Sequence, residues 1–225
     1  MITSPHNPLL KDIRRLGSRR DRGRFVAEGE DLLAAAAEAR WEPVHLLRAG
    51  VDVTEDALAK VSTLGSGTRA LGVFEERWAA PAGPLCVALW GVKDPGNVGT
   101  VLRGALAFGA GSVVIGPGTA DPYGPKAVRA SMGAIFAMPV ARVASLDALP
   151  GVRIGLDAHA EGGLRGPREG ITTLLVGAER EGLPPDVLAG CDRTARIPIR
   201  SESLNAAMAA TIAMYEMTRV PDPEA

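Results

Sequence analysis

The sequence predicts an α/β protein, a parallel sheet flanked by helices and preceded by a small α/β domain. Two observations carry this. Beyond residue 84, short runs at 85–89, 113–115, 153–156, 173–176 and 194–197 are mainly apolar rather than alternating, as in strands covered on both faces. Helical stretches separate these runs, and strands alternating with helices make a parallel sheet. The chain has 225 residues, 46% hydrophobic and 23% charged, which suits one large or two small packed domains and argues against a disordered chain.

The first domain is placed at 1–77. Its Ala- and Leu-rich stretch 28–40 reads as a helix, 43–47 as a strand, 55–60 as a helix and 69–74 as a strand. Residues 78–84 lack apolar periodicity, contain two prolines and form the expected linker. The second domain, 85–225, begins with a strand and a helix over 98–108. On that helix Val98, Val101, Leu102, Ala105 and Leu106 make one apolar face, and Arg103 falls off it. Gly99 sits one turn before Arg103, so Arg103 is expected to reach a cleft with no side chain at Gly99 in the way. A last helix runs to Arg219, with Ser201 or Ser203 as its cap. Leu204, Met208, Ile212 and Tyr215 line one side of it; Ala206, Ala210, Ala213 and Met217 line another. A helix apolar on two sides is either an internal core helix or one shared with a second copy.

Net charge is −1, which excludes coating of nucleic acid by bulk charge. Between 11 and 24, however, stand Lys11, Arg14, Arg15, Arg19, Arg20, Arg22 and Arg24 against two acidic residues. Such a run is either a solvated face or a set of phosphate contacts. Cys86 and Cys191 form no CxxC pair and His6, His45 and His159 are scattered, so no metal site is expected. Residues 1–7 show no basic start followed by an apolar run. The longest charge-free stretch, 104–120, is short and broken by glycines and Pro117. A cytoplasmic protein is the expectation.

Ligands of open parallel sheets bind beyond the carboxyl ends of the strands. Three such ends carry unusual residues. The stretch 91–99 has glycines at Walker spacing, but Asn97-Val98 stands where Lys-Ser/Thr is required; Gly109-Ala-Gly111 lacks the third glycine of a dinucleotide fingerprint. The second end carries Gly177 and Glu179. The third runs from Ile197 through Ser203 to Asn205.

In order and content these segments resemble a known family. Asn97, Gly99, Arg103, Ala105, Phe108 and Gly109, then Gly177, Glu179, Gly182 and Leu183, then Ile197-Pro198 and Ser203-Leu204-Asn205 resemble the three motifs of SpoU (TrmH-type) RNA ribose methyltransferases of the SPOUT superfamily. Asp121-Pro-Tyr-Gly-Pro-Lys126 and Arg129-Ala-Ser-Met-Gly133 are similar too. Thr3-Ser-Pro-His-Asn-Pro8 and Phe25-Val-Ala-Glu-Gly-Glu30 resemble the amino-terminal substrate-binding domain of many members. The link Ile199-Arg-Ser-Glu202 is shorter than is common in the family.

The resemblance implies a carboxyl-terminal trefoil knot, a homodimer and S-adenosyl-L-methionine (AdoMet) as cofactor. It implies AdoMet contacts at Gly177, Ala178, Glu179, Gly182, Ile197, Leu204 and Asn205. It implies catalysis by Arg103, Asn97, Glu179, Ser203 and Asn205, with Asn97 and Glu179 fixing Arg103 and the ribose, and Ser203 and Asn205 reaching from across a dimer interface. An RNA ribose 2′-hydroxyl is the implied methyl acceptor, in ribosomal RNA ahead of transfer RNA. Lys11, Arg14, Arg15, Arg19 and Arg20 become RNA contacts. A catalytically dead RNA-binding member and an α/β enzyme acting on a small nucleotide are the alternatives.

Overall fold

The computed structural model describes residues 1–19, 23–63, 67–200 and 204–219. Helix α1 (Pro8–Gly17) starts where Pro8 fits the first turn and the Asn7 side chain accepts from the Leu9 amide at 2.9 Å. Leu10, Ile13 and Leu16 recur at helical spacing and are buried. Strand β1 (Arg24–Glu28), helix α2 (Glu30–Glu38), strand β2 (His45–Arg48), helix α3 (Glu55–Ala59) and strand β3 (Ala70–Glu75) complete the first unit, an antiparallel sheet in the order β1-β3-β2. The helix expected from residue 28 starts at Glu30. Gly29 adopts φ +105°, a conformation open to glycine, and turns the chain out of β1, which the composition of 28–40 concealed.

The second unit contains β4 (Leu85–Leu89), α4 (Pro95–Ala107), β5 (Ser112–Ile115), α5 (Pro125–Ala130), α6 (Ala134–Ala137), β6 (Val140–Arg142), β7 (Val152–Leu156), β8 (Thr172–Val176), α7 (Pro185–Ala189), β9 (Arg193–Ala195) and α8 (Ala206–Thr218). Its six strands are all parallel, in the order β6-β5-β4-β8-β7-β9. The central β4, β5 and β8 are buried at every residue, as their unbroken apolar runs require. Sequence reasoning missed β1 and β6; at three residues, β6 carries too little pattern to read.

The stretch 78–84 is bonded to the sheet. The Ala79 amide donates to Val140 O at 2.8 Å, and the Ser112 hydroxyl binds both the amide and the carbonyl of Ala82. Gly83 and Gly111 meet backbone to backbone, so closely that a Cβ on Gly83 would lie 2.4 Å from Gly111 Cα. The two units also share one core. The rings of Phe25 and Phe74 pack with those of Tyr123 and Phe136, and Trp41 Nε1 donates to Phe136 O at 2.8 Å. Among the described residues no helix is long and apolar enough to cross a membrane.

Two helix readings change. Leu106, placed on the apolar face of α4, is 44% exposed; Val98, Val101, Leu102 and Ala105 are buried as expected. On α8 the side with Ala206, Ala210, Ala213 and Met217 is buried, whereas Met208, Ile212 and Tyr215 are exposed. The expected caps Ser201 and Ser203 lie outside the described residues. The α8 cap is Asn205, whose Oδ1 accepts from the amides of Ala207 and Met208 at 2.9 and 3.2 Å.

Candidate active site

All six strands point the same way, so the loops after β4 and β8 emerge at one edge of the sheet, the carboxyl edge. After β4 the chain turns at Gly91 (φ +72°) and enters α4, capped by Asp94, which accepts from the Gly96 amide at 3.1 Å. This carries Asn97, buried to 8% exposure, into the edge. A hydrogen bond to Lys126 chiefly, and the Gly96 amide as well, hold the Asp94 carboxyl below the usual range. After β8, Ala178 and Gly182 exchange backbone hydrogen bonds across a turn that presents Glu179. Gly177 has to be glycine there: a Cβ would lie 2.2 Å from the Gly182 carbonyl carbon.

Asn97, Glu179 and Asn205 close into a triangle. Asn205 Nδ2 donates to Asn97 Oδ1 at 3.0 Å and to Glu179 Oε1 at 2.7 Å, and Asn97 Nδ2 donates to the same carboxylate oxygen. With Oδ1 already capping α8, Asn205 fixes the start of that helix to the other two loops. Glu179 Oε2 accepts from no described residue and stays open to a ligand.

Beside the triangle lies a cleft walled by Leu156, Val176, Ile197, Ile199, Leu204 and Ala209. Gly177, Ala178, Glu179 and Gly182 also line it, so of the expected cofactor contacts only Asn205 is outside its lining. The amides and carbonyls of Ile197 and Leu204 enter no backbone–backbone hydrogen bond among the described residues. Apolar walls, idle backbone groups and a carboxylate at the mouth suit a flat heterocycle joined to a charged chain, so the residues present fit AdoMet. Sequence reasoning missed Asp157 and Ala158, which line the same cleft beyond the end of β7. The strand-end rule applied to 153–156 would have found them.

Arg103 stands apart. Its side chain is exposed on α4, makes no hydrogen bond or ion pair with any described residue, and lines neither the cleft beside the triangle nor the one formed by Gly91, Lys93 and Asp94. The expectation that Asn97 and Glu179 hold Arg103 is therefore corrected: within one chain they hold each other and Asn205. Asn205 comes from the same chain, not from across an interface. Gly99 is also reassigned. A Cβ there would lie 2.3 Å from Ala127 O and 2.7 Å from Ala130 Cβ, so this glycine lets α4 and α5 touch rather than clearing a path for Arg103. Ser203 lies outside the described residues.

The basic run divides. Lys11, Arg14 and Arg15 are exposed on α1, opposite its buried face, with Arg14 donating to Lys60 O at 3.2 Å. Arg19 is a correction. Its guanidinium bonds Glu76 Oε1 at 2.5 Å, Asp121 Oδ2 at 2.7 Å and Arg24 O at 2.7 Å, and its side chain is 12% exposed. It fastens the two units and is not available to RNA. Arg20 and Arg22 lie outside the described residues. Among the described residues no cluster of His, Cys, Asp and Glu is placed to hold a metal ion.

The sequence model of the SpoU rRNA Methylase family matches residues 84–215, the span that holds the triangle, the cleft and Arg103. The chain belongs to this family. It is 30% identical, over 96% of its length and 98% of the relative's, to a 23S rRNA (guanosine(2553)-2′-O)-methyltransferase of Bacillus subtilis (strain 168). An AdoMet-bound rRNA methyltransferase from Sinorhizobium meliloti superposes with a TM-score of 0.86 at 31% identity, covering 96% of both chains. The SpoU methyltransferase AviRb from Streptomyces viridochromogenes, in complex with AdoMet, gives 0.83 at 27% identity over 95% of this chain and 97% of its own. In all three the likeness extends past the SpoU region into the amino-terminal unit.

Proposed function

We propose that the protein methylates a ribose 2′-hydroxyl of ribosomal RNA in the cytoplasm, with AdoMet as methyl donor. The observation that carries this reading is the closed Asn97–Glu179–Asn205 triangle at the mouth of a cleft that fits AdoMet. The full-length likeness to rRNA methyltransferases favours ribosomal over transfer RNA. AdoMet, when bound, supplies an activated methyl group on a sulfonium. The protein has to seat the ribose so that its 2′-oxygen faces that methyl in line. Glu179, held rigid through Oε1, offers Oε2 to a ribose hydroxyl. Asn97 and Asn205 set its orientation, and Ser203 shares the catalytic role. Gly177, Ile197 and Leu204 hold the cofactor.

The working form is a homodimer with a trefoil knot. The knot reading is supported by the connection between β7 and β8, which is bonded both to the segment just after β9 and to the last turn of α8. There Leu164 N donates to Arg196 O at 2.7 Å, and Arg168 N to Met217 O at 3.0 Å. The dimer reading is supported by the exposed apolar side chains Leu106, Met208, Ile212 and Tyr215 on α4 and α8, with the Tyr215 ring against Phe108. Arg103 lies one turn from Leu106, so pairing of this face brings its guanidinium to the ribose. There Arg103 binds ribose–phosphate and stabilises the developing alkoxide; a guanidinium does not give up its proton readily enough to act as base, and the bound RNA phosphate accepts the 2′-hydroxyl proton as the methyl leaves the sulfonium. Lys11, Arg14 and Arg15 contact RNA phosphates.

The test is to map 2′-O-methyl groups in total RNA with and without the gene. Loss of a ribosomal 2′-O-methyl, restored by the wild-type protein and not by Arg103→Ala, is expected. Unchanged ribosomal RNA together with a lost transfer-RNA methyl group would overturn the substrate.

A further inference from the structure

We propose that the cavity between the two units, at the carboxyl ends of β5 and β6, binds a nucleotide flanking the methylated one, with Arg142 gripping its phosphate. This rests on the RNA methyltransferase reading and gives it a second contact on the same edge of the sheet. The cavity holds about 470 Å³ and is lined by Gly116, Pro117, Thr119 and Arg142 of the second unit, by Glu76 at the end of the first, and by Asp121.

Its place is the first argument. The loop after β5 that forms its floor is bonded to the loop that leads to Asn97. Gly91 N donates to Pro117 O at 3.0 Å, and Ala120 N to Val92 O at 2.9 Å. The cavity therefore continues the surface that carries the triangle. Adjacent strands lie about 4.8 Å apart, so the step from the β4/β8 end to the β5/β6 end is about 10 Å, within reach of a neighbouring nucleotide.

Charge is the second argument. Glu76 and Asp121 are both paired with Arg19. Their other oxygens also accept bonds, Glu76 Oε2 from Trp78 Nε1 at 3.1 Å and Asp121 Oδ1 from the Tyr123 amide at 3.0 Å. Arg142 has no hydrogen-bond or ion-pair partner among the described residues. Its guanidinium carbon lies 4.0 Å from the centroid of the Trp78 ring. A guanidinium held over an indole ring by its charge keeps N–H groups for a second partner, in the fork that matches phosphate. The stack also removes side-chain freedom before the ligand arrives. Lining the same cavity is the Thr119 hydroxyl, which donates to Leu89 O at 2.8 Å and keeps its oxygen as an acceptor suited to a ribose hydroxyl or an exocyclic amine. Phosphate on one wall and hydroxyl or amine on the other is the pattern of one nucleotide, and the 2′-hydroxyl is what separates RNA from DNA.

A second stack, Arg77 over Trp41 at 4.0 Å, provides the control. It lies by a separate cavity lined by Met138, Pro139 and Val140, on the approach to β6 and away from its carboxyl end. The experiment measures affinity of the full chain for a ribosomal RNA fragment across a salt series, with kcat/KM for methyl transfer and AdoMet affinity. Arg142→Ala should weaken RNA binding about tenfold, lower kcat/KM alike, and reduce the slope of log affinity against log salt by about 0.7. AdoMet affinity should not move. Arg142→Lys should keep the slope and recover only part of the affinity. Arg77→Ala should bind RNA as wild type does. Wild-type affinity and slope in an active Arg142→Ala protein would overturn the subsite, as would equal losses from Arg77→Ala. A wild-type protein that methylates no RNA would instead overturn the function on which the subsite rests.

Discussion

The clasp at Arg19 and the triangle at Asn205 are built alike. Each joins three segments distant in sequence through a compact polar network at the carboxyl edge of the sheet. They differ in what is left over. In the clasp, both carboxylates bond to Arg19 and each has a further donor on its second oxygen. In the triangle, Glu179 keeps one oxygen without a described donor, beside a cleft. A network closed on all sides holds structure together; one with an open acceptor at a cavity mouth is equipped for chemistry. The sequence hides this difference, since the partners in both networks lie far apart along the chain.

Breaking the clasp should give the largest effect. Arg19→Ala leaves Glu76 and Asp121 facing each other with little solvent, the side chains being 7% and 16% exposed. Removing one partner of a mostly buried ion pair costs about 3–5 kcal/mol, and the lower end applies here because some water reaches the site. Chemical denaturation of wild type and variant measures it. AdoMet affinity at a temperature where both are folded should match. A stability loss within 0.5 kcal/mol, the ~0.5 kcal/mol range of surface changes, would return Arg19 to the solvated-surface reading.

The triangle should fail differently. Asn205→Ala removes two donors from Asn97 and Glu179 together with the cap of α8. The lost cap should cost about 1 kcal/mol of stability. Methyl transfer should fall by about a hundredfold, the scale of losing one oriented group in the transition state. Asn205→Asp separates the two roles, because aspartate still caps the helix but places a second carboxylate against Glu179. Expected is near wild-type stability with activity as low as in Asn205→Ala. Recovery of activity along with stability would make Asn205 a cap and nothing more.

How far the sequence could be read follows from the range of each determinant. The strands of the sheet centre were legible because burial on both faces leaves an unbroken apolar run at 85–89 and 173–176. Asn97, Glu179 and Asn205 were legible through the family resemblance and the strand-end rule. Their mutual bonds were not, because these depend on where three loops converge. Gly99 was misread for a related reason. A helical wheel shows which side of α4 the glycine takes, but not that the Ala127 carbonyl of α5 lies against that side. Arg19 was misread because its partners, Glu76 and Asp121, are 57 and 102 residues away.

The smallest expected effect sharpens the comparison from the clasp side and is read by pH. Tyr123 lies between the units. Its hydroxyl donates to Arg77 O and accepts from Arg77 N at 3.2 Å, and its amide donates to Asp121. Burial is the main cause that pushes the Tyr123 phenol up to about 12, with the Glu76 and Asp121 charges adding to it against the opposing bond from Arg77. The folded-state value lies above the unfolded value of about 10, so the neutral phenol stabilises the fold below pH 10. That stability is lost as pH rises from about 10 through about 12. By pH 11 the loss is about 1.4 kcal/mol. Tyr123→Phe lacks a titrating group and should lose stability at every pH through its missing hydrogen bonds, yet show no such fall between pH 10 and 11. Denaturation curves at pH 9, 10 and 11 for the two proteins decide it. Parallel curves would mean that the phenol reaches water, and that the shared core is looser than the clasp requires.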